Sequence, residues 1–237
     1  MIQAQPSLAI AELGVVDYQR ALELQTAMVR ARIADAIGDT LLLLEHPHIY
    51  TLGRGADQRF IVTPRPEVPT VRVSRGGQVT YHGPGQIVGY PILKLDGPAR
   101  DVAKYLRALE AAMIAALARC GLEAERRAGL TGVWVGGRKI ASIGVGIRRW
   151  VTYHGFALNV STDLSYFDSI VPCGIEGCEM TSIARLGRPD ISVAQFSREV
   201  AGSFRATFGY APAIDCGADA LWALVDPRGA IAQGQTQ

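Results

Sequence analysis

Between residues 132 and 160 the chain runs through three β-rich segments with almost nothing between them. Residues 132–135, 139–147 and 150–160 are rich in Val, Ile, Trp, Tyr and Phe, the side chains that suit a pleated, half-buried surface. Gly136-Gly137 separates the first two and can take the positive φ of a two-residue hairpin turn. Connections this short join antiparallel neighbours, because a parallel crossover needs a dozen residues or more. The fold must therefore contain an antiparallel meander here, and the flanks restrict it further. Residues 17–37, 101–120 and 192–208 carry apolar side chains at helical spacing, with Gly121 stopping the second helix and Ser192 capping the third. Residues 40–44 form a short apolar run ending at Glu45 and Pro47, which predicts a buried strand. Further strands are expected at 50–53 and 86–95, with a proline-rich loop over 59–69 and residues 71–73 leading into the glycine-rich segment. Hairpins mixed with helices predict an α/β (α+β) fold, a single domain whose mixed, largely antiparallel sheet is flanked by helices. Residues 1–237 read as one domain without repeats, and 227–237 read as a frayed tail.

Such a sheet needs a large core, and the chain has the material for one. It has 237 residues, 49% hydrophobic and 19% charged, too apolar for intrinsic disorder. The net charge of +2 excludes binding of nucleic acid through bulk charge. No apolar run approaches the ~20 residues of a membrane helix, and no basic residue precedes Arg20, so the start does not read as a secretory signal. Four cysteines in a chain of this length are not a disulfide framework. A soluble, cytoplasmic protein with no membrane and no nucleic-acid partner is expected.

Three segments hold groups capable of chemistry. The first is Arg75-Gly76-Gly77-Gln78-Val79-Thr80-Tyr81-His82-Gly83-Pro84-Gly85-Gln86. Its glycines let backbone approach a ligand closely, and Arg75, Gln78, Thr80, Tyr81 and His82 are spread among them. A twisted, glycine-rich hairpin is the plainer reading. No Gly-Lys-Ser/Thr follows, so it is not a phosphate-binding P-loop. The second is Gly137-Arg138-Lys139-Ile140-Ala141-Ser142-Ile143-Gly144, where Lys139 sits at the start of a strand. Of the 24 basic residues, 21 are Arg and only Lys94, Lys104 and Lys139 are Lys. Arginine cannot release its proton whereas lysine can, so a lysine here stands out, although Lys94 and Lys104 read as surface residues. The third is Val171-Pro172-Cys173-Gly174-Ile175. A cysteine at a sharp turn is accessible, and free N–H groups beside it favour a thiolate and hold an oxyanion. Cys120 lies on an apolar helix face and reads as a small hydrophobe, while Cys178 and Cys216 have no comparable context. Neither the His46/His48 nor the Cys173/Cys178 spacing matches a structural zinc site, and no metal is expected. A Cys–His hydrolase with His46, His82 or His154 as base stays open on spacing alone.

The run from Arg75 to Gln86, continuing to Tyr90-Pro91, closely resembles the signature of the octanoyltransferase family, also called lipoate-protein ligase B. Leu44-Glu45-His46-Pro47, Lys139-Ile140-Ala141-Ser142-Ile143-Gly144, His154-Gly155-Phe156-Ala157-Leu158-Asn159 and Pro172-Cys173-Gly174 resemble its other blocks, in the family's order. The likeness spans about residues 13–210, with no departure at a motif position. It implies a fold similar to the biotin and lipoate ligase catalytic domain. It also implies transfer of an octanoyl group from octanoyl-acyl carrier protein to a lysine of lipoyl domains, those of 2-oxoacid dehydrogenase complexes and of glycine cleavage protein H. By motif match Cys173 resembles the acyl-carrying nucleophile and Lys139 the residue that favours its thiolate. Arg75, Gly76, Gly77, Gln78, Val79, Thr80, Tyr81 and His82, then Ser142, Ile143 and Gly144, then Gly155, Phe156 and Ala157, resemble the substrate-binding segments. His46, Tyr90 and His154 resemble further pocket residues.

The chemistry of the residues is compatible with that likeness. A nearby ammonium favours a thiolate over a thiol, and only a neutral lysine, not an arginine, can also take up a proton. The donor is already a thioester, so no cofactor, ATP or metal is implied. Two other classes stay open: an ATP-dependent lipoate or biotin ligase of the same fold, and a non-catalytic acyl or lipoyl-domain binder. Acidic partners would be steered by local basic residues, for which Arg148 and Arg149 are candidates.

Overall fold

The computed structural model describes residues 6–211, 214–215 and 217–225. Cys216 and the expected tail at 227–237 lie outside the described residues. An inner strand of the main sheet is β2 (Asp39–Glu45), whose sequence DTLLLLE is apolar on both faces. Strand periodicity splits the four leucines. Leu41 and Leu43 enter one core cluster with α2 (Val102–Arg119) and α3 (Val193–Phe208), whereas Leu42 and Leu44 enter another with α1 (Tyr18–Ile33). A sheet buried on both faces between helical layers is the result.

That sheet has seven strands. β1 (Leu8–Val15) lies beside β2, followed by β6 (Gln86–Ile92), β9 (Val151–Asn159), β8 (Arg138–Arg148) and β7 (Val133–Val135), with β10 (Ile214–Asp215) outside β1. The β2–β6–β9–β8–β7 pairs are antiparallel, as the meander requires, and the β1 pairs are parallel. The fold is thus mixed α/β with a largely antiparallel sheet. β1 is an addition to the sequence reading, which began at Asp17. Its sequence LAIAELGV is interrupted by Ala, Glu and Gly, and it is a strand because α1 supplies the crossover that lays it parallel to β2.

The strands near residues 50 and 71 do not join the main sheet. β3 (Ile49–Leu52), β4 (Thr70–Arg72) and β5 (Val79–His82) form a second, three-stranded sheet in the order β4-β3-β5. It has its own core of Tyr50, Leu52, Val79, Tyr81, Phe167 and Ile170. β5 belongs to the glycine-rich segment, which is therefore carried across the main sheet rather than along it. A short helix α4 (Ala218–Trp222) packs Leu221 against the α1 side.

Candidate active site

Lys139, second in β8, is fully buried, with no carboxylate bonded to it among the described residues. Its Nζ lies 3.2 Å from Cys173 Sγ and 3.3 Å from the Thr131 carbonyl, and stands 5.0 Å over the Trp134 ring. The methylene stem runs against Gly132 (φ 141°), where an added Cβ would come 2.8 Å from Lys139 Cε and 2.7 Å from the Ala141 carbonyl. Glycine is required there for both reasons. The lysine backbone is fixed by a second pairing, Lys139 N–H donating to Glu179 O and Thr181 N–H donating to Lys139 O.

Cys173 sits in the tight turn Pro172–Gly174 with φ 57°. A left-handed, non-glycine residue is uncommon and costs about 1 kcal/mol, so the turn must be held by its surroundings. Gly174 N–H donates to Val171 O and Ile175 N–H to Pro172 O. Those N–H groups are therefore spent within the turn, and the polar hydrogens beside the sulfur belong to Lys139 and to Ser142, whose Oγ is 3.6 Å away.

A cavity of about 200 Å³ opens beside this pair. Its floor is one face of the main sheet: Val88 and Tyr90 of β6, Gly155 and Ala157 of β9, Ser142 and Gly144 of β8. Ser142 pairs with Ala157 and Ala157 with Val88, so one rung of the sheet runs straight under it. Residues 75–82 form its cover. Arg75 lies across β8, its Cδ only 2.9 Å from where a Cβ of Gly144 would stand. Small residues on β8 and β9 thus make the room that the cover and a ligand share.

The cavity's electrostatics are set by burial. The Arg75 guanidinium donates to the carbonyls of Gly76, Gln78 and Thr51 and to Thr51 Oγ1, and meets no carboxylate among the described residues. Burial holds it below the usual arginine range, yet arginine stays charged. Burial, aided by that charge, pushes His154 down to about 3. His82 is driven well below the usual imidazole value by burial, with His46 and Arg75 adding to it. His46 is lowered to about 4 by burial, against the opposing bond to Val16 O. Tyr18 is raised to about 12 and Tyr90 well above its ordinary value, both by desolvation. At neutral pH these three histidines are uncharged, and none of them hydrogen-bonds to Cys173. Lys139, not an imidazole, is the partner of the thiol. Burial pushes the Cys120 and Cys178 thiols up. Among the described residues no group of three His, Cys, Asp or Glu is placed to hold a metal, and no helix is long and apolar enough to cross a membrane.

The model of the lipoyl protein ligase A/B catalytic domain matches residues 17–205. The chain belongs to this family. Within it, the enzyme is similar to octanoyltransferases over most of its length. It is 49% identical to that of Geobacter sulfurreducens over 83% of each chain. To that of Gloeobacter violaceus it is 50% identical over 84% of this chain and 89% of the other. To that of Solibacter usitatus it is 54% identical over 74% and 82%. These relatives place it among the octanoyltransferases, and it is an acyltransferase. In fold it is similar to a bi-partite lipoate protein ligase from Thermoplasma acidophilum, with TM-score 0.73 and 16% identity over 94% of this chain and 91% of that one. A lipoate-protein ligase A solved with ATP bound gives TM-score 0.72 and 16% identity over 94% and 93%.

Of the enzyme's sequence-predicted site residues, Arg75, Gly77, Gln78, Thr80, His82, Lys139, Ser142, Ile143, Gly144, Gly155, Phe156, Ala157 and Cys173 are brought to the cavity, with Tyr90 and His154. Val79 and Tyr81 are not. They alternate with Thr80 and His82 on β5 and so face the second core, where Tyr81 stacks on Tyr166. Gly76 stays behind the lining, its N–H donating to Val145 O. His46 supports the site from beneath through a 2.7 Å bond to the Tyr90 hydroxyl. Arg148 ends β8, nine residues or about 30 Å of strand from Lys139, and Arg149 lies in the turn just beyond it. Tyr18, Val88, Leu130 and Thr131 line the cavity without having been anticipated. Tyr18 had no local signal beyond its place at the start of a helix, and 129–131 reads as an ordinary loop.

Proposed function

We propose that the enzyme carries an octanoyl group as a thioester on Cys173, taken from octanoyl-acyl carrier protein and passed to a lysine of a lipoyl domain. The lipoyl domains of 2-oxoacid dehydrogenase complexes and of glycine cleavage protein H are the acceptors under this reading. The observation that carries it is the 3.2 Å contact of Lys139 Nζ with Cys173 Sγ beside a ready-made cavity.

The thiolate attacks the donor's thioester carbonyl, forming the new C–S bond. As the old C–S bond breaks, the Lys139 ammonium gives its proton to the departing pantetheine sulfur. Lys139 is then a neutral amine. The acceptor's neutral lysine attacks the Cys173 thioester, its surplus proton passes to Lys139, and Cys173 leaves as thiolate, restoring the starting state. Lys139 and the Ser142 hydroxyl, the side-chain groups beside the sulfur, are the candidates to stabilise the developing oxyanion. The acyl chain lies over Val88, Ala157, Gly155 and Gly144. No step consumes ATP or a metal ion.

Intact-protein mass spectrometry after mixing with octanoyl-acyl carrier protein tests this. A single adduct of octanoyl mass is expected, discharged by a lipoyl domain and absent from Cys173→Ser, which should also lose nearly all transfer. Cys120→Ser and Cys178→Ser should keep both. Full turnover in Cys173→Ser would defeat the covalent route, and ATP–pyrophosphate exchange with lipoate would favour a ligase instead.

A further inference from the structure

α2 carries a carboxylate where an apolar residue would be expected. Glu110 lies on the buried face with Leu109, Ala112 and Met113 and is fully buried. A carboxylate there is costly unless it is paired and hydrogen-bonded. Its Oε2 accepts from Arg107 at 2.7 Å and from Arg126 Nε at 3.0 Å, and its Oε1 accepts from the Gly132 N–H at 3.1 Å. Arg126 in turn donates to the Arg107 carbonyl. The loop 126–132 is thereby fastened to α2.

That loop leads to the reactive pair. The Gly132 N–H held by Glu110 and the Thr131 C=O that accepts from Lys139 Nζ are the two ends of one peptide unit. A trans peptide is planar and points its N–H and C=O in opposite directions, so fixing one end aims the other. A charged acceptor on the N–H also polarises the amide and strengthens its carbonyl as an acceptor. The chain of contacts runs Glu110 carboxylate, Thr131–Gly132 peptide, Lys139 ammonium, Cys173 sulfur.

We propose that Glu110 is a positioning residue for Lys139, setting the ammonium beside Cys173 through this single peptide unit. The inference rests on the reading of Lys139 and Cys173 given above. Glu110 touches neither substrate nor sulfur, and its effect on transfer passes through the lysine.

The test is a double-mutant cycle read by Cys173 alkylation with iodoacetamide at pH 7, beside steady-state transfer and thermal melting. Glu110→Gln should slow alkylation and lower kcat by about tenfold each, the scale of one hydrogen bond to a charged group. KM for the acyl donor should be unchanged. In a Lys139→Ala background Glu110→Gln should change alkylation no further, because the lysine it positions is gone. Glu110→Asp keeps the charge facing the arginines but draws it back from Gly132, and should show the same defect if the glutamine form does not fold. Native alkylation and kcat with only a lowered melting temperature would make Glu110 structural and overturn the proposal. So would equal effects of Glu110→Gln with and without Lys139. If instead Lys139→Ala itself leaves alkylation unchanged, the reactive pair fails, and that result is distinct.

Discussion

Lysine at position 139 combines two properties that an arginine would divide. Under the proposed mechanism its ammonium, 3.2 Å from the Cys173 sulfur, supplies positive charge there and can also give up its proton, which an arginine cannot. Lys139→Arg keeps the charge, so iodoacetamide alkylation of Cys173 should stay comparatively fast. It cannot serve as a neutral base. Transfer should therefore fall by about a hundredfold or more, the usual scale of lost acid–base help. Lys139→Ala should lose both, with alkylation at pH 7 slowed by about tenfold. Parallel alkylation and turnover measurements on the three forms separate the two roles. An arginine form that transfers octanoyl at the native rate would reduce Lys139 to a charge. Cys173 was legible from its Pro-Cys-Gly turn because local geometry exposes it. Thr131 and Glu110 were not, since a carbonyl in a loop and a glutamate on a helix become informative only once a lysine is seen between them.

At the scale of elements, α3 matters through what it presses on. It packs Phe196, Val200 and Phe204 into the cluster that includes Leu109 and Met113 of α2, the helix that bears Glu110. Its start is secured by a capping box: Ser192 Oγ accepts from Gln195 N–H, and the Gln195 side chain accepts from Ser192 N–H. Ser192→Ala should cost about 1 kcal/mol, lowering the melting temperature by about 2–4 °C, with kcat at 25 °C unchanged. A differential scan beside an activity assay decides it. A fall in kcat at unchanged stability would mean that the helix start communicates with the site directly. Ser192 and the α3 limits could be read from sequence because capping is local. β1 could not, because its strand character comes from the parallel partner that α1 delivers to it.

For the molecule as a whole, three buried imidazoles couple folding to pH. His46, His82 and His154 all titrate below the ordinary imidazole value of about 6.5, His46 at about 4 and His154 at about 3. The unfolded chain takes up protons over this range that the folded chain refuses. Stability is therefore complete above pH 6.5 and falls as the pH drops toward 4 and 3, by roughly 3 kcal/mol from His46 alone at pH 4. Urea midpoints should decline steadily between pH 7 and pH 5. The three imidazole resonances should not titrate above pH 5. A flat midpoint with three imidazoles titrating near 6.5 would show that the cavity wall is wet and open.

The sequence by itself determined the elements and the chemistry on offer. A leucine run buried on both faces, helices with clear caps, a meander joined by short turns and a cysteine at a glycine turn are all consequences of local spacing and backbone preference. The tertiary structure decided which of those groups meet. Lys139 and Cys173 are 173 − 139 = 34 residues apart, and their contact depends on the pairing of residues 179–181 with the start of β8. The two-residue alternation along β5 was readable, but whether Thr80 and His82 or Val79 and Tyr81 would face the cavity depended on which sheet lay on which side. Periodicity gives a strand two faces, and only packing against distant segments assigns one of them to the site.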